Sequence, residues 1–135
     1  MTTPTTAWIV IAHGSRAATV TDDHAKVCAD LAAHASGSGL DQVAVRPAYL
    51  EINEPSIPDA IDAAIAEGAR RVVLVPYFLH AGNHTGRDIP AFMAAARERH
   101  ADVELVMAPH LGPDPRLVAI LADRARTAGA GGSGE

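Results

Sequence analysis

Residues 70–90 read RRVVLVPYFLHAGNHTGRDIP, and the rest of the chain can be placed from them. Val72 to Val75 is a short apolar run, rich in β-branched residues and bounded by polar ones. That is the pattern of a strand buried on both faces. Pro76 ends the ladder, because proline has no N–H to donate. A polar loop follows, with His80 and His84 set among Gly82 and Gly86. Asp88-Ile89-Pro90 then predicts a helix to about His100, with Asp88 as its cap or first-turn acid. Two imidazoles therefore stand at the carboxyl end of a strand, which is where open α/β sheets bind ligands.

The same unit recurs on both sides of this stretch. Ala7 to Ala12 reads as a buried strand, and His13-Gly14-Ser15-Arg16 as its exit loop. Ala25, Cys28, Ala29, Leu31 and Ala32 are spaced for a helix from about Thr21 to Ala35, with Thr21 or Asp22 as cap and a break at Ser36 to Gly39. Gln42 to Tyr49 predicts a second strand with Leu50 to Glu54 as its exit. A helix follows from Pro55 or Pro58 to about Glu67, closed by Gly68. Val103 to Met107 predicts the fourth strand, residues 109–113 its exit, and Asp114 to Thr127 the last helix. Strand–helix repeated in this way gives an α/β fold: a small doubly wound sheet of four parallel strands, with the first and third at its centre. Residues 1–128 form one domain in this reading, and 129–135 a flexible Gly-rich tail.

Composition narrows the function. The chain has 135 residues, 48% of them hydrophobic, so a packed core is within reach, and with 4% aromatics Ala, Val, Leu and Ile must fill it. A formal charge of −5 argues against a nucleic-acid surface. There is no apolar run of membrane-spanning length, and so no membrane partner is expected. The first residues lack a basic segment and pass straight into a strand pattern, which is not how a signal peptide reads. Cys28 stands alone and cannot form an internal disulfide, which fits a reducing cytoplasm. It falls in a helical pattern and reads as a small core residue, not as a nucleophile.

The chemistry is carried by histidines. Of the seven, His13, His80, His84 and His110 follow predicted strands, while His24, His34 and His100 lie on helices and read as surface residues. A parallel sheet gathers its strand exits on one rim, and central first and third strands bring His13 near His80 and His84. Neutral imidazoles facing one cleft suit a borderline divalent metal, and they titrate near neutrality. Glu51 ends the second strand on that rim and would serve as a third metal contact or a proton acceptor. Arg16, Arg46 and Arg87 lie at or near it and would suit a polycarboxylate ligand. Taken singly, each of these is also what an ordinary solvated loop residue looks like. No phosphate-binding glycine loop and no serine nucleophile elbow is present.

Together the motifs resemble a family. Ile11-Ala12-His13-Gly14-Ser15-Arg16, Tyr49-Leu50-Glu51 with Glu54-Pro55-Ser56, Val75 to His84 with Asp88-Ile89-Pro90, and Leu111-Gly112-Pro113-Asp114-Pro115 are similar to the blocks of the sirohydrochlorin chelatases of CbiX and SirB type. The resemblance spans about residues 7–125. It implies a class II, ATP-independent chelatase that inserts Co²⁺, Fe²⁺ or Ni²⁺ into sirohydrochlorin on the way to cobalamin, sirohaem or a nickel coenzyme. The metal is then a substrate, and no tightly bound cofactor is expected. The resemblance places the family's two active-site histidines, which hold the metal, on His13 and His84. It places the glutamate on Glu51 and the tetrapyrrole contacts on Leu79, His80, Ala81, Gly82 and Asn83, with Arg16 beside them. One α/β unit, where longer relatives carry two, implies a homodimer. His80 stands where the family pattern expects an apolar or small residue, and Tyr49 where Phe is commoner. The alternative is a non-catalytic tetrapyrrole or metal carrier on the same fold.

Overall fold

A computed structural model describes residues 5–38 and 43–131, apart from the side chains of residues 84, 130 and 131. The elements run β1 (Thr6–Ala12), α1 (Ala18–Gly37), β2 (Val43–Tyr49), α2 (Ile57–Ala66), β3 (Arg71–Pro76), a π-helical turn (His84–Asp88), α3 (Ile89–Arg99), β4 (Glu104–Met107) and α4 (Pro115–Gly131). All strand pairs are parallel, in the order β2-β1-β3-β4. The expected sheet is present, with β1 and β3 central. Pro76 is the last residue of β3, opposite Ile11, as its missing N–H requires.

Register sorts the strand residues into two faces. Ala7, Ile9 and Ile11 lie beside Val72, Leu74 and Pro76 and beside Ala44, Arg46 and Ala48. This face carries the core, closed over by Ile57, Ala60, Ile61 and Ala64 of α2 and Ile89, Met93 and Ala96 of α3. Ile9, Ile11, Ile61 and Leu74 are wholly buried, so truncating any of them to alanine should cost about 2–5 kcal/mol. The other face is less complete. α1 packs over β2, and its His24 reaches β1, but Val73, Val75 and Val106 remain half-buried. The expectation that β3 is buried on both faces is therefore corrected. The helix that follows β4, α4, leaves much of its apolar side in solvent, with Val118 at 62% and Leu121 at 69% exposure.

Helix starts show the larger departures. Ser56 caps α2, its hydroxyl accepting from the Asp59 N–H at 3.2 Å with Pro58 in the first turn, close to expectation. α1 begins at Ala18, three residues before the expected cap, without a side-chain cap; the Ser15 hydroxyl accepts from the Ala17 N–H just ahead of it. It runs through Ser36 and Gly37, so the expected break there is helix; Gly39 and Gln42 lie outside the described residues. Asp88 does not cap α3. It is itself helical and makes no capping bond, because the chain has already turned helical at His84. That earlier start is held by Thr85, whose hydroxyl accepts from the Gly82 N–H at 3.1 Å and donates to the Gly82 carbonyl at 3.3 Å. α4 continues to Gly131, into the stretch read as a tail; residues 132–135 lie outside the described set.

Two histidines were misplaced by the sequence reading. His24 is 3% exposed; its Nε2 lies 2.9 Å from the Val10 carbonyl, and its ring packs on Tyr49 and Tyr77. It lies one helical turn from buried Cys28 and so shares the buried stripe of α1. His100 is half-buried and sits 2.8 Å from Asp62, joining α3 to α2. Burial pushes the Cys28 thiol up, which keeps it protonated and agrees with a packing role.

Candidate active site

The β1 and β2 exits are laced together beyond the ends of their strands. The Leu50 N–H donates to the Ala12 carbonyl at 3.0 Å and the Glu51 N–H to the His13 carbonyl at 3.1 Å, which prolongs the ladder by two residues. The Ser15 N–H donates to Asn53 Oδ1 at 2.8 Å. Gly14 makes this approach possible. Its φ is +106°, and a Cβ there would lie 1.9 Å from the Glu51 carbonyl oxygen.

This lacing sets His13 Nε2 at 2.8 Å from Glu51 Oε2, with both side chains about half exposed at the rim. A carboxylate so placed fixes the rotation of the imidazole. Glu51 also lines a cleft of about 230 Å³ with Leu50, Asp88, Ala91 and Phe92, so the β2 exit faces the start of α3 across a small gap. His84 begins the π-helical turn on that side. Its side chain lies outside the described set, and among the described residues no three His, Cys, Asp or Glu side chains converge as a metal cage.

The β3 and β4 exits form the other half of the rim. The Leu111 N–H donates to the Phe78 carbonyl at 2.9 Å, and a Cβ on Gly112 would lie 2.4 Å from the Leu79 carbonyl oxygen. Leu79 and His80 line one wall of a groove of about 710 Å³, with Leu117, Val118 and Leu121 of α4 opposite. Ala81, Gly82 and Asn83 are exposed beyond it, and His110 is half-buried in the β4 exit. Arg16 is exposed in the β1 exit. Arg87 pairs with Asp88 at 3.8 Å within the π-helical turn. Arg46 is not at the rim: it lies mid-strand opposite Ile9 and pairs with Glu67 at the end of α2.

Asn53 and Ser15 were missed as site residues, although the first orders the second. Their only sequence signal is a short polar side chain in each of two adjacent strand exits.

Known proteins are similar to this chain in sequence and fold. The CbiX family model matches residues 7–128. The sirohydrochlorin cobaltochelatase of Methanococcus maripaludis is 31% identical over 145 residues, covering 88% of this chain and 96% of the archaeal one. The chloroplastic sirohydrochlorin ferrochelatase of Arabidopsis thaliana is 39% identical over 80 residues, which cover 59% of this chain and 36% of the plant one. The sirohydrochlorin chelatase SirB from Bacillus subtilis subspecies spizizenii, solved in complex with cobalt, superposes with a TM-score of 0.81 at 25% identity, over 90% of this chain and 50% of SirB. The chain thus spans half of SirB and little more than a third of the plant enzyme, yet nearly all of the archaeal one. With a match that runs from β1 into α4 and carries the His13 and Glu51 exits with it, the chain belongs to the CbiX family.

Proposed function

We propose that this chain is a metallochelatase that inserts a divalent metal, Co²⁺, Fe²⁺ or Ni²⁺, into sirohydrochlorin without ATP. One observation carries the reading: a His13–Glu51 pair at 2.8 Å stands on a rim whose other exits present exposed apolar side chains, Tyr77, Leu79 and Leu111. A flat macrocycle with a polar centre needs both. Metallation exchanges two pyrrole protons for one M²⁺, so the site must present the metal and accept protons. His13 offers the metal a nitrogen, and Glu51 holds the ring in place for it. His84, on the same rim, is the second metal contact and proton acceptor in this account. The Leu79–Asn83 loop and Arg16 meet the macrocycle and its carboxylates. So few protein ligands suit a metal that must be released, since a closed four-ligand cage would retain it.

The reading extends to a homodimer. Half-buried Val73, Val75 and Val106, solvent-facing Val118 and Leu121, and the two open sheet edges at β2 and β4 support it. A reducing compartment such as the cytoplasm suits a chain whose cysteine is buried and unpaired. No helix among the described residues is long and apolar enough to cross a membrane.

The test is the visible spectrum of sirohydrochlorin mixed with Co²⁺ and sub-stoichiometric protein. Conversion of all the tetrapyrrole, faster than without protein, is the expected result. A change that stops at one macrocycle per site would identify a carrier instead.

A further inference from the structure

Ile52 is strained where the fold gains nothing from it. Its φ is +70°, in the left-handed region, where a β-branched residue is an outlier. The Asn53 N–H donates to the Glu51 carbonyl at 2.7 Å across it, closing a three-residue γ-turn of the rare, strained hand. Burial does not offset the strain, since the side chain is 55% exposed. The turn is imposed from outside: the Glu51 N–H is tied to His13, Asn53 Oδ1 to Ser15, and the Glu51 carbonyl is seated over Gly14. Glycine at position 52 would adopt the same turn without the strain. What isoleucine adds is an apolar side chain standing in water one residue beyond Glu51.

Its company gives that side chain a purpose. Among the described residues, the exposed large hydrophobics are Ile52, Tyr77, Leu79 and Leu111 in strand exits, Met107 at the carboxyl end of β4, and three more in α4. The strand exits thus carry apolar groups on the same rim as the His13–Glu51 pair. Ile52 is the member of that set on the same side as the pair, and the apolar groove lies on the other. Resting on the chelatase reading, we infer that Ile52 packs on the face of the tetrapyrrole and sets how closely its pyrrole nitrogens approach His13. It is a binding and positioning residue, and the strained turn is what holds it out of the protein.

The experiment compares Ile52→Gly and Ile52→Val with the parent in the full chain. It reads the melting temperature, the mass by light scattering, the steady-state constants for Co²⁺ insertion into sirohydrochlorin, and the affinity for metal-free sirohydrochlorin by fluorescence titration. Ile52→Gly should melt no lower than the parent, keep its mass, and raise KM and the dissociation constant about tenfold, the scale of one apolar side chain withdrawn from contact. Ile52→Val should recover most of that loss. Unchanged KM and affinity in Ile52→Gly would overturn the inference. A lower melting temperature would also overturn it, by showing that the side chain serves the fold, as would a change of mass, by showing that it serves a subunit contact. The metal-free titration separates this inference from the reading it rests on. If the parent binds sirohydrochlorin but never metallates it, and Ile52→Gly still binds it more weakly, the contact stands while the catalytic reading falls.

Discussion

The β1–β2 half of the rim and the β3–β4 half are built by the same backbone device and furnished with opposite side chains. In each, a backbone bond carries the pairing past the strand ends, Leu50 to Ala12 on one side and Leu111 to Phe78 on the other. In each, a glycine lies against a neighbouring carbonyl, Gly14 under Glu51 and Gly112 under Leu79. The first half then presents His13 and Glu51, ordered by Ser15 and Asn53. The second presents Leu79 against Leu117, Val118 and Leu121. The shared device belongs to the parallel sheet, which must bring its exit loops together somewhere. The contrast in side chains fits the proposed function: in this account one half moves protons and metal, and the other packs on the apolar face of a flat macrocycle.

Six substitutions, at four places in the fold, break or sharpen that contrast. The largest effect is expected from His13→Ala, which removes the group proposed to hand over metal and accept protons. The initial rate of Co²⁺ insertion should fall about 10²–10⁴-fold, with the melting temperature kept because His13 is exposed. His84→Ala should lose rate on the same scale. Either variant running at the parent rate would remove that residue from the mechanism.

Gly14→Ala tests the shared device. It adds a Cβ 1.9 Å from the Glu51 oxygen at a backbone angle alanine avoids, so urea denaturation should show a loss of roughly 2–4 kcal/mol. Gly112→Ala meets its carbonyl at 2.4 Å and should cost less. The reverse order would mean that the β3–β4 half is the more tightly built.

Leu79→Ala addresses the furnishing of the apolar half. A 54% exposed leucine adds little to the fold, so the expected change is a several-fold rise in KM for sirohydrochlorin at constant kcat. A fall in kcat at constant KM would place chemistry on the wrong side of the rim.

The smallest effect is expected far from either half. Asp62 accepts from His100 at 2.8 Å and Arg99 at 3.0 Å, and these bonds, that of His100 foremost, hold its carboxyl below the usual carboxylate range. A depressed carboxyl contributes stability above its unfolded value, about 3.9, and loses it as pH falls through the lower folded one. Asp62→Asn should therefore be modestly less stable than the parent at neutral pH. The gap should close below about pH 4, with kcat and KM untouched throughout. A gap that widened in acid would reverse the sign of this interaction.

How much of this could be read from residues alone depended on what each feature needs. The sheet needs only short apolar runs at regular intervals, so its strands, their order and the placing of His13, Glu51 and the His84 segment on one rim were legible. Helix starts were less so. The expected cap at Asp88 lost to a Thr85–Gly82 exchange that starts a π-helical turn earlier, and a single turn of five residues is too short to leave a period in the sequence. His24 was readable in principle, four residues before Cys28 on the same stripe, but its polarity argued for the surface until the Val10 carbonyl supplied a partner. Ile52 left no local sign at all. Its angle is set by bonds among His13, Ser15 and Asn53, which are remote in sequence or borne on the turn itself.

The division of labour between the two halves is tested most directly by single-turnover Co²⁺ insertion at saturating sirohydrochlorin, followed by absorbance for the parent, His13→Ala and Leu79→Ala. Saturation removes differences in macrocycle affinity and leaves the insertion step. The account predicts that His13→Ala slows this step by at least about 10²-fold while Leu79→Ala stays near the parent. Equal slowing in both, or a His13→Ala trace that follows the parent, would contradict it.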